Sequence, residues 1–260
     1  MIYLNFIKME TIEKKHVKEQ IDQNKKSQIN ISDISKYNIS KVSDNEDISN
    51  MKEITFKISV IGDVAVGKSS IIQRLTKEGE KFNENYKATI GFDIFKYKCK
   101  VKDTIINLNI WDTCGLVDFS ASTPSLYKNA ALVIVVYSID NKESFEHLVN
   151  WINALKENTK PDILVFIVGN KSDLEDKRQV KIEEGKAFME ERNYNFFLET
   201  SAKENKHIKE LFEQAFAQLY EYHYKEVDDK REDFTTIKEK DKRISLSQKE
   251  HKKNKKKKFC

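Results

Sequence analysis

The chain has 260 residues, of which 39% are hydrophobic and 34% charged; that suffices for one sizeable core and hardly for two, since domains run to about 100–200 residues. Its longest apolar run, Ala130 to Tyr137, is far short of the roughly 20 residues of a membrane span, and Met1 to Ile7 is too short for a signal-peptide core, so a cytosolic protein is expected. The net charge of +4 is uneven: Lys238 to Cys260 carries eleven Lys or Arg against three acids, which marks a basic tether at one end and argues against nucleic acid as a partner.

Residues 1–52 hold no Gly, Pro or Trp. Met9, Ile12, His16 and Val17 mark one weak helical face that nothing sustains. Ser27 to Asn50 offers too little clustered apolar surface to offset its ordering entropy, so the extension reads as disordered. From Ile54 the pattern changes. Ile54 to Ile61 is a β-branched strand that ends at Gly62, and Ser69 to Thr76 carries Ile71, Ile72 and Leu75 at helical spacing. Phe92 to Val101 and Thr104 to Trp111 read as a hairpin, the second strand alternating Ile106, Leu108 and Ile110. Ala130 to Tyr137 and Ile163 to Val168 are unbroken apolar runs, as strands buried on both faces of a mostly parallel sheet require. Between them Phe145, Leu148, Val149, Ile152 and Leu155 share a helix face. A short strand, Phe196 to Leu198, and an amphipathic helix, Ile208 to Tyr220, complete the series. The alternation predicts an α/β, doubly wound, mostly parallel six-stranded sheet with helices on both faces over residues 53–223, followed by a tail at 224–260.

Three motifs stand at the ends of these strands, where such sheets bind ligands. Gly62, Asp63, Val64, Ala65, Val66, Gly67, Lys68 and Ser69 satisfy G-x-x-x-x-G-K-[ST], with Ser70 continuing into the helix. Loop amides and a helix N-terminus make an anion cradle; Lys68 is placed for the β- and γ-phosphates and the Ser69 hydroxyl for Mg²⁺. Asp112, in Trp111 to Gly115, is placed to hold Mg²⁺ through water, and the Gly115 amide to sense the γ-phosphate. Asn170, Lys171 and Asp173, with Ser201, Ala202 and Lys203, supply base recognition. A carboxylate at Asp173 accepts from both donors of the guanine edge, whereas adenine would set an acceptor against it. Four of the seven glycines (Gly62, Gly67, Gly115, Gly169) lie in these motifs. An ATP-using enzyme with the same phosphate loop is the remote alternative, and Asp173 and Ala202 oppose it.

On these motifs, residues from about 54 to 223 resemble a small GTPase of the Ras superfamily, specifically a Rab. Thr123-Pro124-Ser125, Leu126 to Ala130 and Gly169 to Val180 are the segments most like Rabs, and Ile90-Gly91-Phe92-Asp93 is similar to the Rab effector segment. The resemblance implies a monomeric GTP/GDP switch with Mg²⁺ that meets effectors, an exchange factor and an activating protein through its switch regions. It implies that Thr89 binds Mg²⁺ and the γ-phosphate, that Phe82 packs on guanine and that Tyr86 closes over the phosphates. From the residues alone, Phe82 reads equally as a loop aromatic packed on the core.

The departures from the family pattern fall at hydrolysis. Leu116 stands where the family has a glutamine that orients the attacking water, and a leucine cannot hydrogen-bond that water. Val64 replaces Gly or Ser and would crowd the γ-phosphate. Weak hydrolysis is therefore expected; the competing expectation is ordinary hydrolysis, with an activating protein supplying the missing glutamine. Ala65 replaces a usual Rab glycine but matches the Rho-type loop. Of the family's aromatic triad, Ile94 stands at a usual Phe while Trp111 and Tyr127 remain. At the far end, Lys249, Lys252, Lys253 and Lys255 to Lys258 precede Phe259-Cys260. Lysines near an anionic leaflet contribute ~1 kcal/mol each, and a lipid chain adds the second signal that stable anchoring takes. Rabs are typically geranylgeranylated on terminal cysteines, so Cys260 is the expected lipidation site for peripheral attachment to the cytoplasmic face of an intracellular membrane; a solvated lysine run with an unmodified cysteine is the plainer alternative.

Overall fold

The computed structural model describes residues 29–43, 46–83, 88–115, 123–160 and 163–225, with residue 227. Tyr86, Leu116, Cys260, the weak helical face near Met9 and the lysine run of the tail fall outside them.

All six expected strands form: β2 (Lys52–Ile61), β3 (Phe92–Val101), β4 (Thr104–Thr113), β5 (Ala130–Ser138), β6 (Leu164–Asn170) and β7 (Phe196–Glu199). A seventh, β1 (Ser40–Lys41), comes from the extension, and the sheet order is β1-β3-β4-β2-β5-β6-β7. Only the β1–β3 and β3–β4 pairs are antiparallel; β4–β2, β2–β5, β5–β6 and β6–β7 are parallel. The parallel register brings Val60 beside Asp112, Ile61 beside Val135, and Ser138 beside Asn170. The motif-bearing strands thus end together, at the carboxyl end of the parallel strands.

Helices cover both faces because β5 and β6 are apolar on both. Every residue of β6 is buried. On one face α4 (Leu148–Asn158) and α5 (Ile182–Glu191) bury Leu148, Trp151, Ile152, Leu155 and Phe188 against Val133, Val135, Tyr137, Val165 and Ile167. Two shorter helices, α2 (Thr123–Tyr127) and α3 (Lys142–Glu146), lead into β5 and α4. On the other, α1 (Lys68–Thr76) buries Ile71, Ile72 and Leu75, and the helical residues 208–219 bury Leu211, Phe212 and Phe216, the last stacked on Tyr97 at 5.7 Å. The chain divides into two compact units at Leu219–Tyr220. In the second, the Tyr220 and Tyr224 rings lie 4.6 Å apart, tilted by 39°. Among the described residues no helix is long and apolar enough to cross a membrane.

The extension departs from expectation. Ile31–Tyr37 form a 3-10 helix that buries Ile34 and Tyr37, closed by Asn38 in the left-handed region at φ 47°. The Tyr37 carbonyl accepts from the Lys102 amide (2.8 Å), the Lys102 ammonium lies 4.4 Å from the Tyr37 ring, and Gln214 Nε2 donates to the Ile29 carbonyl (2.6 Å). β1 then pairs Ser40 with Lys100 and Lys41 with Cys99. Ser27 to Asn50 looked disordered because its few apolar residues are too sparse for a core of their own. Two of them need no core of their own, because they pack on one that the domain has already built. Replacing Ile34 by Ala is expected to lower stability by about 2 kcal/mol or more, measured by urea unfolding of the full chain; an unchanged midpoint would mean that this segment adds nothing to the fold.

Candidate nucleotide site

Gly62 to Ser69 leave β2 as a loop that turns into α1, and the loop's shape demands its glycines. At Gly67, φ is 99° and a Cβ would collide with the Asn170 side-chain amide. At Gly115, φ is 74° and a Cβ would strike the Lys68 ammonium and the Asp63 backbone. Ala65 adopts φ 61° without being glycine, a conformation that costs an L-residue about 1–2 kcal/mol. Val64, which sequence reasoning set against the γ-phosphate, is 39% exposed.

Lys68 is 5% exposed and donates to the carbonyls of Gly62 (2.9 Å) and Asp63 (2.6 Å). Burial pushes its ammonium down to about 8, against the opposing pull of Asp112, Cys114 and Asp63. A buried cation satisfied only by carbonyls is poised to exchange them for an anion.

Beside it stand three oxygen donors. The Ser69 and Thr89 hydroxyls lie 3.0 Å apart, and Thr89 Oγ1 donates to Asp112 Oδ2 at 3.4 Å. Asp112 is 1% exposed, and its Oδ1 has no hydrogen-bond partner among the described residues. Burial raises its carboxyl, and Ser69, Lys68 and Thr89 only partly offset that. Two hydroxyls and an orphaned, buried carboxylate oxygen fit a hard divalent cation with oxygen ligands, Mg²⁺ in character. The three residues expected to hold the metal are therefore together.

Base-side residues converge on the same cavity. Asn170, 2% exposed at the end of β6, donates from Nδ2 to the Val66 carbonyl (2.8 Å); its Oδ1 accepts from Thr200 Oγ1 (3.1 Å) and the Ala202 amide (3.2 Å). Ser201 Oγ donates to Asp173 Oδ1 at 2.5 Å. Lys171 takes φ 65°, with its ammonium 3.8 Å from Asp140 Oδ1. The cavity, about 650 Å³, is lined by Ala65, Gly67 to Ser70, Phe82, Thr89, Asn170, Lys171, Asp173, Ala202 and Lys203. That volume suits one nucleotide-sized ligand. Phe82 is half-buried and lines this cavity.

Two arginines escaped sequence reasoning. Arg74 of α1 donates to the carbonyls of Ala202 (2.7 Å), Lys203 (2.8 Å) and Glu80 (2.7 Å), with its guanidinium 5.6 Å from the Phe82 ring. Arg178 forks onto Glu199 (2.7 and 2.8 Å) and Glu175 (2.8 and 2.7 Å). Arg74 belongs to no motif, since it acts on loop backbone; Arg178 lies within the Rab-like segment Gly169 to Val180, but its fork onto Glu199 has no spacing signal. Both cysteines among the described residues are free and buried; burial pushes the Cys99 thiol up to about 12, as suits an inert strand residue.

The phosphate loop, oxygen cluster and base loops together define a guanine-nucleotide-binding domain. The family model "Ras family" matches residues 57–221. Ras-related protein Rab-11C of Dictyostelium discoideum is 40% identical over 168 residues, 65% of this chain and 74% of the relative. RABA5e of Arabidopsis thaliana is 39% identical over 169 residues (65% and 76%), and RABA1g of the same plant 34% over 185 residues (71% and 84%). The chain belongs to the Ras family of small GTPases, in its Rab branch.

Arg74→Ala removes three donors and leaves three loop carbonyls to water. It is expected to weaken GDP binding about tenfold, at ~1 kcal/mol or more for the lost bonds, as read by competition with a fluorescent GDP; unaltered affinity would reduce Arg74 to a surface residue.

Proposed function

We propose that this protein is a Rab-type molecular switch of vesicle and membrane trafficking, binding GTP and GDP in the cavity between Lys68 and Asp173 and hydrolysing GTP slowly. The observation that carries it is the convergence of Lys68, the Ser69–Thr89–Asp112 oxygens and the Asn170–Asp173 loop on one cavity. Gly62 to Ser70 cradle the phosphates through backbone amides and the α1 N-terminus. Lys68 gives up its carbonyls for phosphate oxygens, and Gly115 supplies an amide at the γ-phosphate. Ser69, Thr89 and Asp112 would hold Mg²⁺, which neutralises charge on the phosphates. Phe82 and Lys171 flank the base, Asp173 and the Ala202 amide read its edge, Ser201 holds Asp173, and Tyr86 closes the site.

Thr89 lies between that oxygen cluster and an exposed apolar face. Ile90 is 95% exposed, Phe92 45% and Ile94 48%. Phe92 stacks on Trp111 at 4.7 Å, and Ile94 is paired with Trp111 across the hairpin. γ-Phosphate contact at Thr89 is thereby coupled to a face that recruits effectors, as in switches that order a segment on GTP. Tyr127, the third residue of the family triad, is fully buried in the core cluster with Val133 and Trp151.

Leu116 and Val64 bias the switch toward its GTP state. The same two residues favour a second reading, a GTP-loaded scaffold that does not cycle. Single-turnover hydrolysis separates these. The wild type is expected near background, Leu116→Gln at least about tenfold faster, and Val64→Ser/Leu116→Gln faster still. A normal wild-type rate would mean that another group positions the water and that the protein cycles as an ordinary Rab.

The polybasic segment with Cys260 is the proposed membrane attachment, peripheral and cytoplasmic-facing. Cys260→Ser is expected to move the protein from the membrane to the soluble fraction of lysed cells. Unchanged fractionation would remove the lipid from the proposal.

A further inference from the structure

The first residue after Gly62 in the phosphate loop is an acid, which is an awkward charge to carry next to phosphates. Asp63 is answered from one place. Trp151 Nε1, on the second turn of α4, donates to Asp63 Oδ1 at 2.7 Å, and His147 Nδ1, at the junction of α3 and α4, lies 2.7 Å from Asp63 Oδ2. The two side chains of the ion pair are only 32% and 17% exposed. Meanwhile the Asp63 backbone carbonyl is one of the two that hold Lys68, and the Asp63 backbone is what a Cβ at Gly115 would strike. Displacing Asp63 therefore displaces the loop's contact with both phosphate-sensing elements.

We propose that His147 is a proton-responsive positioning residue for the phosphate loop: charged, it neutralises Asp63 and keeps the loop closed on phosphate, and neutral, it leaves a carboxylate charge beside the phosphates and speeds nucleotide release. This rests on the reading of the cavity as a nucleotide site. Electrostatics and geometry act in the same direction. A neutral imidazole still donates one hydrogen bond to Asp63, so the loop keeps its shape in part, but the compensating charge is gone. The groups facing His147 are Asp63 from the loop and Glu143 and Glu146 from α3, with the Glu143 carboxylate 3.9 Å from Nε2. All three are acids. The hydrogen bond to Asp63 raises the imidazole above its usual 6.5, burial opposes this, and the Coulombic pull of Asp63, Glu143 and Glu146 adds to it.

The sign follows. A histidine raised in the folded protein contributes its full attraction below about pH 6.5 and loses it as pH rises through the raised value. By linkage, an anionic nucleotide must itself raise the imidazole further, by the same factor that protonation tightens the nucleotide.

The test uses the full chain loaded with fluorescent GDP and Mg²⁺, chased with excess GDP between pH 6 and 8. Wild-type release is expected to quicken about threefold across this range, on the scale of one partly exposed charge pair. His147→Asn, which keeps a donor without a titrating charge, should be fast, and His147→Arg, permanently charged, should be slow; each should lose the threefold quickening seen in the wild type. Subtracting the His147→Asn profile removes any pH dependence carried by other groups of the loop, Lys68 included. NMR titration of the imidazole in the same sample should give a midpoint above 6.5. A flat wild-type profile, a wild-type-like profile in His147→Asn, or a midpoint at or below 6.5 would overturn the proposal while nucleotide binding stands. Failure of the wild type to retain GDP at all would overturn the nucleotide reading and this proposal with it.

Discussion

Asn170 is the interaction on which the rest of the site depends. One side-chain amide donates to the phosphate loop at Val66 and accepts from Thr200 and Ala202 in the base loop. It can do so because β6 ends level with β5 and beside β7, so a single short side chain joins Val66 to Thr200, loops 134 residues apart in sequence. At 2% exposure, an amide unsatisfied on either side would carry the full desolvation cost of a buried polar group, about 1–3 kcal/mol. Phosphate recognition and base recognition are in this way held to one geometry. Gly67 is glycine for the same reason, since any side chain there would displace the amide.

Around that link the site separates into groups that bind and groups that react. The expected binding groups are braced: buried Lys68 by loop carbonyls, half-buried Asp173 by Ser201, the base loop by Arg74. Val64, one of the two departures from the family pattern, lies on the loop's exposed side. Its side chain fills no space in the protein's interior, so the fold places little constraint on that position. On the proposed reading, binding and turnover are carried by different residues, so one can change without the other.

Most of the fold was legible in the sequence because its signals are local. Unbroken apolar runs at β5 and β6, alternation along β4 and glycines at strand ends each point to one structure within about ten residues. Motif residues were legible for the same reason. What escaped was long-range. Arg74 matters through carbonyls some 128 residues away in sequence, and a carbonyl leaves no trace in sequence. The segment holding buried Ile34 and Tyr37 is tied down by distant Lys102, at Tyr37, and Gln214, at Ile29, so a window centred on the extension finds too few apolar residues to justify order. The His147–Asp63 contact bridges 84 positions and has no spacing signature at all.

The chain holds two tryptophans, and their placement gives the unmodified protein an optical readout of its own. Trp151 shares a hydrogen bond with Asp63 of the phosphate loop. Trp111 stacks on Phe92 beneath a lysine ammonium 3.8 Å from its ring, at the edge of the exposed apolar face. One indole senses the loop that meets phosphate, and the other senses the surface offered to partners. Their emission differs in character, since a hydrogen-bonded indole 9% exposed and a half-buried one under a cation sit in different electrostatic fields. Each indole can thus be followed by replacing the other with phenylalanine, which separates events at the ligand from events at the recognition face without any added dye.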